Sequence, residues 1–364
     1  MNLDWDVEKL IRPELLKMKA YTPVEPTEVL SQDMGIPVER VTKLDGNENP
    51  YGCSPRVLQA LAAYPYYHLY PDSEQREIRK ALSQHIGLAP EYIVAGSGSD
   101  ELIDLILRLF LKLGDKVINC PPTFGMYPFS TEVCGGEVIG VERKEDFTLD
   151  IPAIKKAVGK RAKVVFIASP NNPSGNIVAE PEIRELLETG LVVVIDEAYS
   201  EFSETSVVSW VPKYSNLVVL RTFSKWAGLA GLRAGYGVFP KTVAEYLMKI
   251  KQPYNINAAA QVAMLESLKD KDYLRDTIKM IIAERARLFT KLQEIKWLRP
   301  YPSQGNFILC RVIKGDAIRI HQELRRQGIF VRYFDTPRLR DCLRFSVGKP
   351  EDTDLLIAAL NGIC

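Results

Sequence analysis

One pattern dominates the middle of the chain: short, nearly continuous apolar runs alternate with segments of helical character. Strands that are apolar on both sides are typical of a parallel sheet covered by helices on both faces, since only such a sheet buries each strand completely. The sequence therefore predicts an α/β fold with a mostly parallel central sheet. The runs are residues 93–95, 116–119, 138–141, 164–167, 191–195, 217–220 and 235–238.

Unusual polar residues follow three of these runs, where the carboxyl ends of parallel strands would meet. Open parallel sheets bind ligands at that edge, so residues placed there are candidates for a common site. Taken singly, each has a plainer explanation: Lys225 would be a surface lysine, and Asp196 could merely cap a helix. Their ordered recurrence favours a functional site. In chain order they are Asn172, Asp196, Tyr199, Ser224, Lys225 and Arg233.

A glycine-rich turn, residues 96–98, lies between a predicted strand and a predicted helix. Backbone amides at a helix N-terminus bind anions, so this turn is a candidate phosphate site. It could also begin a dinucleotide-binding fingerprint, but Glu101 stands where the third glycine of that pattern is needed. A phosphate-bearing ligand other than a dinucleotide is the better prediction.

Overall charge argues against macromolecular partners, because 47 Lys and Arg residues balance 46 Asp and Glu residues. We expect no nucleic acid and no membrane as a partner, and small molecules as ligands. The 6 cysteines form no C-x-x-C pair and the 3 histidines lack metal-ligand spacing, so no metal is predicted. The acidic N-terminus resembles neither a signal nor a transit peptide, and a cytoplasmic location is expected.

Three parts are predicted along the chain. Residues 1–31 form an N-terminal arm with one short helix, and residues 32–250 form the large domain with the central sheet. Residues 251–364 form a smaller α+β domain that opens with a long helical region over residues 258–295.

Longer motifs surround the candidate residues, and together they resemble the aspartate-aminotransferase-like superfamily of pyridoxal phosphate (PLP) enzymes, and within it the histidinol-phosphate aminotransferases. The resemblance extends over nearly the whole chain, to Arg344. It implies the PLP-dependent transferase fold, with helices on both sides of the large sheet. The segments that carry it are residues 43–52, 70–72, 96–101, 121–127, 169–175, 196–199, 221–233 and 305–307.

The resemblance implies a role for each candidate in holding PLP. Lys225 carries the cofactor covalently, Asp196 pairs with the ring nitrogen, and Tyr199 and Asn172 donate to the ring's 3-oxygen. Only one of Asp196 and Glu197 can face the site, because successive strand side chains point to opposite faces. The residues that bind the phosphate are Gly98, Ser99, Asp100, Ser224 and Arg233. The cofactor ring stacks on Phe124, where the family more often has tyrosine. Tyr70 reaches the phosphate from the second subunit of a homodimer.

Substrate recognition is implied for Tyr21, Asn172, Arg332 and Arg344. Arg344 lies in a strand whose alternate residues are apolar, so its side chain points away from the packed side. The resemblance implies that histidinol phosphate and 2-oxoglutarate become imidazole acetol phosphate and glutamate, in histidine biosynthesis. Threonine-phosphate decarboxylase and aromatic amino acid aminotransferase share the fold and the motifs, and a PLP-fold binding module without turnover is the alternative of another class.

Overall fold

The computed structural model describes residues 6–363. Its strands are β1 (Thr42–Leu44), β2 (Ile93–Ser97), β3 (Lys116–Asn119), β4 (Glu137–Gly140), β5 (Ala162–Ala168), β6 (Val192–Asp196), β7 (Leu217–Thr222), β8 (Ala234–Val238), β9 (Leu298–Pro300), β10 (Phe307–Val312), β11 (Ile329–Tyr333) and β12 (Cys342–Ser346). Its α-helices are α1 (Pro13–Leu16), α2 (Thr27–Met34), α3 (Pro55–Ala63), α4 (Arg76–Ile86), α5 (Gly98–Phe110), α6 (Met126–Val133), α7 (Ile151–Ala157), α8 (Glu180–Leu187), α9 (Lys241–Ile250), α10 (Ala258–Lys269), α11 (Lys271–Glu294), α12 (Ala317–Arg326) and α13 (Pro350–Gly362).

The larger sheet has seven strands in the order β2-β8-β7-β6-β5-β3-β4. Neighbouring strands from β7 across to β4 run parallel, and β8 alone is antiparallel to both of its neighbours, β2 and β7. The predicted mostly parallel sheet is thereby confirmed. The carboxyl ends of β3, β5, β6 and β7 lie along one edge, where the polar residues of interest follow.

Both faces of this sheet are buried, as continuous apolar strands require. Ile195 and Val219 point into the main core on one face, whereas Val194 and Val218 point into a second core on the other. The predicted helix α5 covers the second face and buries most of its apolar residues there. Such complete burial fixes the strand ends and the residues attached to them.

The smaller sheet has five strands in the order β1-β11-β12-β10-β9. Only β1 and β11 pair in parallel, and the other neighbours are antiparallel. Helices α11, α12 and α13 accompany it. This α+β arrangement is the one expected for the C-terminal part of the chain.

The two sheets do not divide the chain at the expected boundary. Strand β1, from the stretch assigned to the large domain, pairs with β11 of the small sheet, while α10 packs against α3 and α4. The long helical region is two helices, because Asp270 leaves the helical conformation and accepts a hydrogen bond from Ser54. The arm has a 3-10 turn at Val7–Leu10 and the short α1, where the sequence predicts one short helix.

No helix within residues 6–363 is long and apolar enough to cross a membrane. In the same range, no group of three or more His, Cys, Asp or Glu side chains is arranged to hold a metal ion.

Candidate active site

A cavity of about 850 Å³ lies at the carboxyl-terminal edge of the large sheet, between that sheet, the small sheet and the N-terminal arm. It brings together nearly all the residues singled out from the sequence. Gly98 contributes backbone beside it, and Tyr70 lies elsewhere. The predicted residues that line it are Tyr21, Ser99, Asp100, Phe124, Asn172, Asp196, Tyr199, Ser224, Lys225, Arg233, Arg332 and Arg344.

Lys225 follows strand β7 and projects into the cavity, where its Nζ donates to the carbonyl oxygen of Gly46 at 3.0 Å. Burial, together with the nearby Arg344 and Arg233 guanidiniums, lowers the pKa of this lysine to about 8. The next residue, Trp226, anchors the turn by donating from Nε1 to the carbonyl oxygen of Thr222 at 2.8 Å. A substantial fraction of Nζ is therefore neutral near physiological pH, as a nucleophilic amine must be.

Asp196 is the last residue of β6 and is fully enclosed by protein. Its Oδ2 accepts a hydrogen bond from the Tyr127 hydroxyl at 2.6 Å, and its Oδ1 accepts one from the Ala198 amide at 3.0 Å. Burial raises the pKa of Asp196 to about 6, although both hydrogen bonds act in the opposite direction. The carboxylate is still mostly ionised at neutral pH and is placed to pair with a cation in the cavity.

Glu197, the neighbouring carboxylate, points to the other face of the sheet. Its Oε2 lies 2.7 Å from Nη2 of Arg221, and its Oε1 accepts from the Val207 amide at 2.7 Å. Strand alternation separates the two carboxylates in this way, so Asp196 alone faces the cavity.

Two amides and a tyrosine line the side of the cavity that the small domain covers. The Tyr199 hydroxyl accepts a hydrogen bond from Asn47 Nδ2 at 3.0 Å, which leaves its own proton free for an oxygen in the cavity. Asn172 Oδ1 accepts from Arg344 Nη1 at 2.6 Å. Both contacts join the strand ends of the large sheet to distant parts of the chain.

The glycine-rich turn at the start of α5 lies against the guanidinium of Arg233. Gly98 has a φ of +75°, and a Cβ on it would lie 2.5 Å from Nη2 of Arg233, so only glycine fits. Arg233 Nη2 also contacts Asp100 Oδ2 at 2.8 Å, and the Ser224 hydroxyl stands nearby on the cavity wall. The free amides of α5, a hydroxyl and a guanidinium together form a site for a phosphate.

Arg332 and Arg344 occupy directly opposed positions on strands β11 and β12. Arg344 is only 5% exposed and donates to Asn172 and to the carbonyl oxygen of Asp45. Burial, reinforced by the positive charge of Arg332, lowers the pKa of Arg344 to about 10. Arg332 is more accessible and donates from Nη2 to the carbonyl oxygen of Thr22 in the arm at 3.2 Å. Two guanidiniums facing one cavity favour an anionic ligand.

Aromatic side chains complete the cavity. Phe124 packs edge-on against Tyr127 with ring centroids 5.5 Å apart, and Tyr21 from the arm packs edge-on against Phe129 at 6.4 Å. A Cβ at Gly125 would lie 3.2 Å from the Tyr21 ring, so the arm closes tightly there. Tyr70 is 81% exposed and stacks on Tyr254 outside the cavity of its own chain.

Several contacts at the site were missed from the sequence. Tyr127 and Asn47 stand in the sequence only as members of the longer motifs at residues 121–127 and 43–52, although their hydrogen bonds hold Asp196 and Tyr199. The carbonyl groups of Asp45 and Gly46, which bind Arg344 and Lys225, carry no side-chain signal at all. A polar residue within a longer motif is a weak signal, and only the folded chain reveals its partner.

Comparison with known proteins agrees with this geometry. Residues 39–360 match the family model for aminotransferase class I and II. A histidinol-phosphate aminotransferase of Dehalococcoides mccartyi is 49% identical over 358 residues, which is 98% of this chain and 99% of that protein. A chloroplastic histidinol-phosphate aminotransferase of Arabidopsis thaliana is 48% identical over 97% of this chain and 85% of its own length.

Among solved structures, the histidinol-phosphate aminotransferase of Sinorhizobium meliloti in complex with pyridoxal-5'-phosphate superposes with a TM-score of 0.88 at 27% identity. The superposed region covers 97% of this chain and 98% of the Sinorhizobium meliloti chain. The matched lengths, the shared fold and the assembled cavity lead to one assignment: the chain belongs to the class I and II aminotransferases and, among them, to the histidinol-phosphate aminotransferase family.

Proposed function

We propose that this protein is a PLP-dependent aminotransferase that moves the amino group of histidinol phosphate to 2-oxoglutarate, in histidine biosynthesis. Imidazole acetol phosphate and glutamate are the products. The observation that carries the proposal is the convergence of Lys225, Asp196 and Arg344 on one cavity. An amine, a buried carboxylate and a buried guanidinium are the groups that a PLP enzyme needs for its cofactor and an anionic substrate.

The residues present fit PLP. Gly98 leaves a cradle that any side chain would fill, Lys225 presents an amine of lowered pKa, and Asp196 is a buried carboxylate beside neutral polar groups. When bound, PLP supplies an aldehyde that reacts with amines and a ring that withdraws electrons from the bound substrate. Lys225 would hold the cofactor covalently, and Asp196 would pair with its ring nitrogen. Its phosphate would be bound by Arg233, Ser99 and Ser224.

The chain's own groups then do the remaining work. Lys225 Nζ, with a pKa near 8, would act as the general base that takes the proton from the substrate carbon bearing the amine and holds it on Nζ. The Asp196 carboxylate would supply a negative charge opposite the ring nitrogen of the bound cofactor. The Tyr199 hydroxyl, held by Asn47, donates its proton to an oxygen in the cavity. Tyr21 and the small domain exclude water from the reacting atoms.

A panel of amino donors, with 2-oxoglutarate as the acceptor, tests the substrate. Histidinol phosphate should give the highest kcat/KM. Equal rates with tyrosine or phenylalanine would point to an aromatic amino acid aminotransferase, and carbon dioxide release from phosphothreonine to the decarboxylase. A protein that retains PLP but transfers no amino group from any donor would be a binding module.

Arg344→Ala is expected to impair histidinol phosphate and glutamate alike, because its buried guanidinium lies in the cavity where the anionic groups of both substrates would bind. A charge-assisted contact in a desolvated site is worth about 1.5–3 kcal/mol, or roughly one to two decades of kcat/KM. Arg332→Ala should impair the phosphorylated substrate more than glutamate. Lysine should rescue neither, since it lacks the planar fork.

Steady-state kinetics of the two half-reactions measure this. Arg299→Ala is the matched control, because Arg299 lies on β9 of the same sheet, is exposed and does not line the cavity. Unchanged kcat/KM for both substrates in Arg344→Ala would exclude the anion role of Arg344.

A homodimer is the second part of the proposal, with Tyr70 reaching the phosphate site of the partner subunit. Tyr70 is supported for this role because it is 81% exposed and does not line the cavity of its own chain. Exposed large apolar side chains are often buried at an interface between subunits. Tyr254, on which Tyr70 stacks, is also exposed, as are Leu58, Tyr66, Tyr67 and Leu69 nearby in the sequence.

Tyr70→Phe is expected to weaken cofactor retention about tenfold, the effect of one hydrogen bond to a charged group. Mixing it with Lys225→Ala should return cofactor affinity at the active sites to the wild-type value, because each heterodimer contains one site free of both changes and one site with no carrier lysine. Activity as a function of PLP concentration, measured after complete subunit exchange, gives that affinity. If the heterodimer keeps the weakened affinity of the Tyr70→Phe homodimer, Tyr70 serves its own subunit or none.

A further inference from the structure

The two arginines of the anion site pose an electrostatic problem. Arg332 and Arg344 are directly opposed on neighbouring strands, and both side chains line the same cavity. Like charges at opposed positions of a sheet repel each other, and burial of Arg344 strengthens the repulsion. Asn172 and the Asp45 carbonyl oxygen accept hydrogen bonds from Arg344, and the Thr22 carbonyl oxygen accepts one from Arg332, but none of these acceptors bridges the two guanidiniums.

The ring of Phe334 stands in contact with both guanidiniums. Its centroid lies 5.7 Å from Cζ of Arg332 and 5.8 Å from Cζ of Arg344. Phe307 lies near Arg344 as well, with its centroid 5.4 Å from Cζ, but has no such contact with Arg332. These distances are within the roughly 6 Å at which a cation is attracted to the face of an aromatic ring. Phe334 is therefore the shared neighbour of the pair.

The ring itself is held in place from behind. Phe334 packs against a small apolar cluster that joins the loop between β11 and β12 to the large domain. The buried members of the cluster are Phe147, Leu309, Leu339 and Cys342, with Tyr301 packed against them. A ring backed by this many side chains has little freedom to turn away from the arginines.

Arg338 fixes the same loop to the large domain. Its Nη2 donates to the carbonyl oxygen of Lys144 at 2.5 Å, its Nη1 lies 3.4 Å from Glu142 Oε2, and its guanidinium lies over the Phe147 ring. Phe147 is in turn fixed, because buried Arg143 donates from Nη1 to its carbonyl oxygen at 3.0 Å. The position of Phe334 is thus set by both domains.

We propose that Phe334 is a positioning residue that sets the spacing and orientation of the Arg332 and Arg344 guanidiniums for the anionic groups of the substrates. The inference rests on the proposed function, because it takes the two arginines as the substrate's anion ligands. Phe334 acts through them: each guanidinium has its own hydrogen-bond acceptors, and the ring is the neighbour that both share and that fixes the distance between them. The site is then already arranged when phosphate or carboxylate arrives, which lowers the cost of binding.

Phe334→Leu tests this, because leucine keeps an apolar group in the cluster but removes the ring face. A shared cation–π contact at a partly buried site predicts a rise of about 3- to 30-fold in KM for histidinol phosphate. The kcat should stay within about twofold, because uniform binding is lost and the reacting groups are untouched. Inorganic phosphate, used as a competitive inhibitor of the holoenzyme, should lose affinity by a similar factor. Phe334→Tyr, which restores a ring, should return both values close to wild type.

Tyr301→Leu is the matched control: it removes an aromatic ring from the same cluster, where Tyr301 packs edge-on against Phe147 at 5.0 Å, away from the cavity. It should leave KM and phosphate inhibition unchanged. If Tyr301→Leu raises KM as much as Phe334→Leu does, the cluster merely supports the loop and the inference is wrong. If Phe334→Leu does not fold, the milder Phe334→Met also removes the ring and can be tested in the same way.

Arg332→Ala and Arg344→Ala separate failure of this inference from failure of the proposed function. If those variants weaken phosphate binding and Phe334→Leu does not, the arginines bind the substrate without help from the ring, and only the inference fails. If neither arginine variant changes KM or phosphate inhibition, the proposed anion site fails.

Discussion

Lys225→Ala should abolish transamination, lowering kcat by about 10⁴-fold or more, because no other amine in the cavity can hold the cofactor covalently. The described cavity lining contains no second lysine. Borohydride reduction of the holoenzyme followed by intact-mass measurement provides a direct readout. The wild type should gain the mass of one cofactor per chain, and the variant should gain none.

Lys213→Ala is the control, since Lys213 is exposed and outside the cavity. It should be labelled and active like the wild type. A Lys225→Ala protein that still gains one reduced cofactor per chain would show that another lysine is the carrier, and peptide mapping of the adduct would identify it.

Asp196→Ala should retain some PLP but turn over about 10²–10³-fold more slowly, because a preorganised charge at the reacting centre is lost. Asp196→Asn should be nearly as slow, since it preserves the hydrogen bond from Tyr127 but not the negative charge. Single-turnover rates with histidinol phosphate measure the effect without interference from product release.

Glu197→Gln is the matched control on the same strand end. Glu197 is ion-paired with Arg221 on the opposite face, so its loss should destabilise folding by about 3–5 kcal/mol with little effect on kcat of the folded fraction. The reverse result, normal turnover in Asp196→Ala and slow turnover in folded Glu197→Gln, would exchange the roles of the two carboxylates.

The central sheet could be predicted from the sequence because its strands are buried on both faces. Each predicted run differs from the observed strand by at most a few residues, as with residues 164–167 within β5 and residues 217–220 within β7. Strand β1 gave no such signal: three residues that pair at the edge of a sheet are too few to show a pattern. Its place beside β11 depends on contacts between residues far apart in the chain.

The sequence by itself determined that Asn172, Asp196 and Lys225 could share a site, because each follows a strand whose apolar character requires burial, and the carboxyl ends of parallel strands meet at one edge. The candidates outside the large sheet rested on the family resemblance. The sequence also determined that Asp196 and Glu197 face opposite ways, since side chains alternate along a strand. Only the tertiary structure decided which groups hold those residues. Tyr127 donates a hydrogen bond to Asp196, Asn47 donates one to Tyr199, and the Phe334 ring contacts the guanidiniums of two arginines. Tyr127 and Asn47 lie 69 and 152 residues away from the side chains they hold, and Phe334 meets both arginines only because β11 and β12 pair side by side, so these contacts arise only when the chain folds.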